Sequence, residues 1–126
     1  MACQQGPPRG TVQDLVAEHP QTVAGLARFC AERYPDTAGE RWKDGDDWNE
    51  RTYSAIAADA ERQALGLIAE GIQPGDRVCV LADTSPAWAT TALAIWSTGA
   101  VVVPIYPTNS PEECEWVAGN SGEFVG

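Results

Sequence analysis

Positive charge is scarce in this chain, and over residues 84–111 charge of either sign is missing altogether. Eight Lys and Arg stand against 18 Asp and Glu, a formal net charge of −10. That balance excludes a nucleic-acid binder, which works through basic patches, and it repels an anionic membrane surface. Lysine and histidine occur once each, as Lys43 and His19. A nucleophile–base–acid triad would need His19 as its base, and one isolated histidine in a poorly patterned segment specifies no such site. The four cysteines, Cys3, Cys30, Cys79 and Cys114, are far apart and form no CxxC pair. Neither a disulfide framework nor a zinc site is expected, and the thiols read as free or buried in a reducing cytoplasm. The opening MACQQGPPRG has neither the basic start nor the apolar core of a signal peptide. GxGxxG after a strand and GxxxxGK followed by Ser or Thr are both absent, so the common backbone cradles for phosphate are missing.

The uncharged stretch is long enough to pose a question, because about 20 apolar residues span a bilayer. Within its apolar window, residues 86–105, Pro86, Pro104, Ser97, Gly99 and three threonines (Thr90, Thr91, Thr98) dilute the hydrophobicity, and no Lys or Arg follows it to give an orienting flank. Its internal punctuation decides the matter. Ser85-Pro86 supplies a capping hydroxyl followed by proline at the first helical position. Gly99 ends that helix before the β-branched run Val101-Val102-Val103. Together with the preceding strand, predicted over 78–82, this is a strand–helix–strand crossover over 77–105. VVVPI is apolar on both faces, as a strand covered by helices should be. The helix between carries Trp88, Ala89, Ala92, Leu93, Ile95 and Trp96 nearly all round and is expected to be sandwiched.

The rest of the chain reads as follows. Residues 1–21 form a flexible arm, with Gly6, Pro7, Pro8 and Gly10 at its start and a short helix or extended segment over 11–19. Val23, Leu26, Ala27, Cys30, Ala31 and Tyr34 recur at helical spacing between a cap at Thr22 and a stop at Pro35, with Arg28, Glu32 and Arg33 on the far side. A β-hairpin follows, 41–43 and 48–53 around a turn at Asp44-Gly45-Asp46-Asp47. Its acids, with Glu50, lack the spacing of a calcium loop and read as a solvated turn. A helix over 53–70 presents Ile56, Ala60, Ala64, Leu67 and Ile68 to a core, with Asp59, Glu61, Arg62 and Glu70 facing water. Gly71 closes it. Ser110-Pro111-Glu112-Glu113 is a capping box with two acids suited to the helix dipole, opening a helix to about Gly119.

Few residues invite a chemical role. Asp83 stands at the C-terminal end of a strand, the edge where α/β folds bind ligands, and equally fits the start of the following helix. Tyr106, Thr108 and Asn109 follow the second strand and either contact a ligand or belong to a loop bracketed by Pro104 and Pro111.

The ordered set Thr22-Val23-Ala24-Gly25-Leu26, Tyr34-Pro35-Asp36, Trp48, Thr52-Tyr53, Gly71-Ile72-Gln73-Pro74-Gly75-Asp76-Arg77-Val78 and Gly99-Ala100-Val101-Val102-Val103-Pro104-Ile105-Tyr106-Pro107-Thr108 resembles the N-terminal portion of the adenylate-forming, or AMP-binding, superfamily. Pro-Ile-Tyr-Pro-Thr with Ser-Pro-Glu-Glu is most similar to its long-chain fatty-acid–CoA ligase branch. The resemblance covers residues 22–126 and implies an α/β fold, the incomplete N-terminal part of that enzyme fold: a parallel sheet with flanking helices and one β-hairpin. It implies activation of a long-chain fatty acid by ATP through an acyl-adenylate to acyl-CoA, with Mg2+ and coenzyme A as further requirements of the full-length enzyme. The family's Ser/Thr/Gly-rich loop ending in Pro-Lys-Gly, its adenine and ribose motifs and its C-terminal domain with a catalytic lysine have no counterpart here, and Lys43 matches none of them. No catalytic, cofactor-binding or metal residue carries over, and none of these cofactors is expected to bind this chain tightly. The chain ends on Ser121-Gly122-Glu123-Phe124-Val125-Gly126 where the family continues into another strand. A fragment from a truncated or incomplete reading frame is therefore expected, inactive alone, with the fatty acid and the missing remainder of the ligase domain as partners of the whole. It would have no transmembrane segment and would be cytoplasmic, or peripheral to a membrane in the full-length enzyme. An interaction module derived from the same portion is the alternative reading, and a small unrelated nucleotide-binding domain is a third.

Overall fold

The computed structural model describes residues 17–122. Most of the expected N-terminal arm, residues 1–16, and the last four residues lie outside them, as does Cys3. Thr22 opens helix α1 (Val23–Arg33), its hydroxyl accepting the Gly25 N–H at 3.0 Å. Arg28, Glu32 and Arg33 face water as expected. The apolar stripe is only half covered, because Val23, Leu26 and Tyr34 are exposed and α1 buries no residue fully.

Strands β1 (Ala38–Asp44) and β2 (Asp47–Thr52) form an antiparallel hairpin longer and tighter than the sequence pattern suggests. Asp44 pairs with Asp47 across the ladder, leaving Gly45-Asp46 as a two-residue turn with Gly45 at φ 61°, a position where glycine avoids the penalty of a Cβ. At the other end a bulge falls between Ala38 and Glu40. A Cβ on Gly39 would lie 2.7 Å from Ile56 Cδ1 and 2.8 Å from the Tyr53 ring, so only glycine lets β1 come this close to helix α2 (Tyr53–Ala69). Thr52 caps α2 through the Ala55 N–H at 3.2 Å. Ile56, Ala60 and Ala64 are buried and Leu67 packs on the core. Ile68 is exposed, contrary to the pattern: about 100° further round the helix than Leu67, it lies beyond the packed stripe.

Strand β3 (Arg77–Leu81), helix α3 (Pro86–Ser97) and strand β4 (Val101–Ile105) realise the expected crossover. The two strands are parallel and paired from Arg77↔Val101 to Leu81↔Ile105, and β3 starts one residue before the predicted strand. Ser85 caps α3, accepting the Trp88 N–H at 3.2 Å, and Pro86 occupies its first turn. Ile95, Ile72 and Ala100 form the buried centre, with Leu67, Val78, Val80 and Val102 packed around them. The sandwich is incomplete. Thr90, Ala92, Ala94 and Ile95 are buried, but Trp96 is exposed, as are Val101 and Pro104 of β4. Two separate two-stranded sheets are all that the described residues build, so apolar surface outruns available cover. Helix α4 (Pro111–Asn120) closes the described chain, with the expected capping box: Ser110 Oγ accepts the Glu113 N–H at 3.2 Å and the Glu113 carboxylate accepts the Ser110 N–H at 2.7 Å. No helix among the described residues is long and apolar enough to cross a membrane, and Cys30, Cys79 and Cys114 are free thiols, each half-buried.

One polar assembly ties these elements together. The Arg51 guanidinium, at the end of β2, binds the carboxylate of Glu40 on β1 and that of Asp59 on α2 at 3.1 Å. Its Nη2 donates to Thr90 Oγ1 at 2.6 Å and reaches the Pro86 carbonyl at 3.5 Å, both on α3. Asp59 therefore does not face water as its helical position suggests; its other oxygen accepts from Arg62. The three charged side chains are 24%, 17% and 22% exposed, dry enough that an orphaned partner is costly and wet enough to temper the cost.

Arg51→Ala should therefore lower stability by about 2 kcal/mol, with Arg51→Lys recovering less than half because a point charge cannot serve four acceptors in one plane; a urea midpoint unmoved by Arg51→Ala would remove the assembly's structural role. At α4, the Glu112 carboxyl is held below the usual carboxylate range by its own backbone N–H and then by the Ser110 hydroxyl. A lowered folded-state value means that this contribution is complete above the ordinary Glu range and is lost as pH falls through the lowered value. Ser110→Ala should move the Glu112 carboxyl titration, followed by NMR, back toward the ordinary range; an unchanged titration would contradict the bond.

Candidate functional site

The carboxyl ends of β3 and β4 lie side by side because the strands are parallel and in register, and the two loops leaving them frame a cleft of about 320 Å³. Asp83 and Thr84 line one wall, Pro104 to Pro107 the other, and Trp88, from the first turn of α3, forms part of the lining. Two residues singled out from the sequence, Asp83 and Tyr106, are thus brought together, while Thr108 and Asn109 are not part of the lining. Asn109 belongs to the turn: its N–H donates to the Tyr106 carbonyl at 3.0 Å, and its own carbonyl receives the Cys114 thiol at 3.9 Å. Trp88 was legible only as an apolar core residue, since its spacing on α3 says nothing of the loop opposite.

Asp83 is exposed and has no hydrogen-bond or ion-pair partner among the described residues. It does not cap α3; Ser85, two residues later, does so. Tyr106 is 68% exposed. The cleft therefore offers one carboxylate, one phenol, the Thr84 hydroxyl and apolar lining that includes the buried Ile105. That set can hold a ligand by shape and a few polar contacts. It holds no nucleophile beside a base and no paired acid and base.

The other sequence candidates lie elsewhere. His19 is exposed and outside the cleft, its ring 5.0 Å from that of Phe29 and tilted by 40°. Lys43 is exposed on β1. Of the hairpin acids, Asp44 and Asp47 face each other across the ladder and Glu50 pairs with Arg41 at 2.9 Å. Among the described residues no three His, Cys, Asp or Glu converge as a metal site would require. The described residues do not fit a magnesium ion or a nucleoside triphosphate: their carboxylates are dispersed, the one lysine is on the hairpin, and among them no glycine-rich loop lines the cleft.

The family model of AMP-binding enzymes matches residues 27–123. Among curated proteins, the long-chain-fatty-acid–CoA ligase FadD15 of Mycobacterium bovis is 43% identical over 78 residues, 62% of this chain and 13% of that protein. The long-chain-fatty-acid–CoA ligase ACSBG1 of Homo sapiens is 31% identical over 99 residues, 79% of this chain and 14% of that protein. The chain thus spans about one-seventh of the length of these relatives. Among solved structures, the fatty acid AMP ligase of Legionella pneumophila superposes with a TM-score of 0.76 at 26% identity, over 81% of this chain and 18% of that one. The N-terminal subdomain of Klebsiella oxytoca NpsA does so with a TM-score of 0.74 at 22% identity, over 82% and 26%, a likeness of fold.

The two residues at the mouth of α3 should separate cleanly on substitution. Ser85→Ala should cost about 1 kcal/mol through loss of the cap, whereas Asp83→Asn should leave the thermal midpoint in place. A destabilised Asp83→Asn would return that carboxylate to a structural role.

Proposed function

Because the chain belongs to the AMP-binding enzyme family, we propose that residues 22–126 are the N-terminal portion of a longer ligase domain that converts a long-chain fatty acid to its coenzyme A thioester. In that reaction a carboxylate oxygen of the fatty acid attacks the α-phosphorus of ATP and pyrophosphate leaves, giving an acyl-adenylate. The thiol sulfur of coenzyme A then attacks the acyl carbon, its proton is lost to a base, and AMP departs. The observation that carries this reading is the family match over 27–123 combined with 43% identity to a ligase of that specificity. Residues 17–21 precede the domain as the end of an arm. The enzyme is cytoplasmic or rests on a membrane surface.

The share of these residues in the work is architectural. Arg51 fixes the hairpin on α2 and α3, and the β3–β4 pair sets the two loops of the cleft at a common edge. Magnesium, which screens phosphate charge in such reactions, and the adenine and pantetheine ends of the substrates need groups that these residues do not provide. The isolated chain is therefore inactive. The cleft's single carboxylate would repel a carboxylate or phosphate placed against it, so its wall is not the reacting centre.

Two measurements test the proposal together. The purified 126-residue chain should release no pyrophosphate from ATP with palmitate and magnesium; acyl-adenylate formed by it would overturn the inactivity. Exchanging the matching 78-residue segment of FadD15 for this chain's own should preserve palmitoyl-CoA synthesis. A folded exchange protein that makes the thioester only from unrelated acids, or not at all, would overturn the assignment.

A further inference from the structure

We propose that the cleft at the carboxyl ends of β3 and β4 binds a quaternary ammonium group, carried by a trimethylalkylammonium ion free in solution. Leu81 pairs with Ile105 in the last rung of the ladder, so the two chains leave the sheet side by side, about 5 Å apart. Asp83 follows two residues after Leu81 and Tyr106 one after Ile105, which brings a carboxylate and a phenol ring to one cleft. The turn that carries Tyr106 is closed by the Asn109 N–H, which donates to the Tyr106 carbonyl at 3.0 Å. Trp88 comes from the first turn of α3, whose start is held by the Ser85 cap. At about 320 Å³ the space suits a headgroup and is small for a nucleotide or a long acyl chain.

Charge selects the class of ligand. Asp83 is the one carboxylate in the lining, is exposed, and has no partner of its own among the described residues. No base lines the cleft to neutralise it. Residues 84–111 hold none, and Arg77 lies at the opposite end of β3, about 13 Å along the strand. Arg51, on the Thr90 side of α3, is matched by Glu40 and Asp59. The positive end of the α3 dipole amounts to about half a charge, less than that of Asp83. Its first donors are also engaged or missing, because Pro86 has no N–H and that of Trp88 goes to Ser85 Oγ. The cleft is therefore an anionic spot that attracts a cation. One carboxylate with no second acidic ligand converging on it serves a metal ion poorly. The aromatic lining favours an organic cation instead, with Trp88 half-buried and Tyr106 mostly exposed. The π faces of indole and phenol attract a charge spread over apolar methyl groups. A primary ammonium ion has three donors to satisfy and loses more hydration than Asp83 and the Thr84 hydroxyl restore.

Titration of the 126-residue chain with choline chloride at constant ionic strength tests this, followed through the NMR signals of the Trp88 indole and the Tyr106 ring. Both signals should shift saturably. Asp83→Asn and Tyr106→Leu each alter an exposed side chain, and each should weaken choline binding about threefold with the thermal midpoint unchanged. The neutral isostere of choline, in which carbon replaces nitrogen, should bind about tenfold more weakly, the product of those two losses. Ethanolamine should also bind more weakly than choline. Phosphocholine separates the free ion from a lipid headgroup: its phosphate is repelled by Asp83, so it should bind more weakly, and phosphatidylcholine vesicles should not retain the chain. Absence of saturable shifts, equal binding of the neutral isostere, or a folded Asp83→Asn that binds choline as before would overturn the proposal. Tighter binding of phosphocholine than of choline, or retention by the vesicles, would do so as well. The readout needs neither nucleotide nor fatty acid, so its failure and that of the ligase reading are distinguishable.

Discussion

One guanidinium holds three layers of this protein in register. Arg51 contributes no apolar area, yet the hairpin meets α2 and α3 through it: Glu40, Asp59 and Thr90 converge from three elements on its planar donors. Charge-assisted bonds of this kind are directional as well as strong. They set how the hairpin lies on α2 and α3, together with the close approach of Gly39 to Ile56 and Tyr53. Thr90 shows how tightly the system is drawn. It is almost wholly buried, its hydroxyl donates to the Pro86 carbonyl at 2.9 Å, and its oxygen is free only to accept from Arg51.

The β3–β4 pair is the second organising unit, and the two are joined through α3, which begins at the cleft and carries the arginine's acceptors in its first two turns. The loops at the strand ends are thereby tied to the hairpin through a single rigid helix. A cleft with one carboxylate and aromatic walls is what remains when the fold is considered without the groups that phosphate chemistry demands. Membership in a family of adenylate-forming enzymes sits comfortably with that, because folds position sites without supplying all of their residues.

Local features were plain in the sequence. Thr22, Ser85 and Ser110 were legible as caps and each opens its helix where expected; the helix start at 53 was legible too, but its cap, Thr52, was hidden because it falls within the strand pattern over 48–53. The parallel crossover was legible because proline, glycine and a β-branched run punctuate it at fixed positions. Arg51 was not: it looks like any polar hairpin residue, and its acceptor Thr90 is 39 positions away on a helix that seemed wholly apolar. Asp59 was misread for a related reason, since a helical projection shows which way a side chain points and not what stands opposite. Ile68, Trp96 and Val101 erred in the other direction. Their hydrophobicity promised burial, but burial needs a covering partner, and the described residues do not provide one. At the cleft, Asp83 and Tyr106 were found because strand ends are predictable, and Trp88 was missed because its second neighbour comes from another loop.

The order in which the arginine's partners are made has its own consequence. Glu40 leaves the ribosome before Arg51 and Asp59 follows eight residues after it, whereas Thr90 trails by 39, a delay of about 2–8 s at ordinary elongation rates. During that interval the hairpin and the first turns of α2 can close on the two carboxylates alone, with the remaining guanidinium donors still hydrated. Only once α3 has been made can those donors exchange water for Thr90 Oγ1 and the Pro86 carbonyl. Translation thus supplies the guanidinium donors well before two of their four acceptors exist.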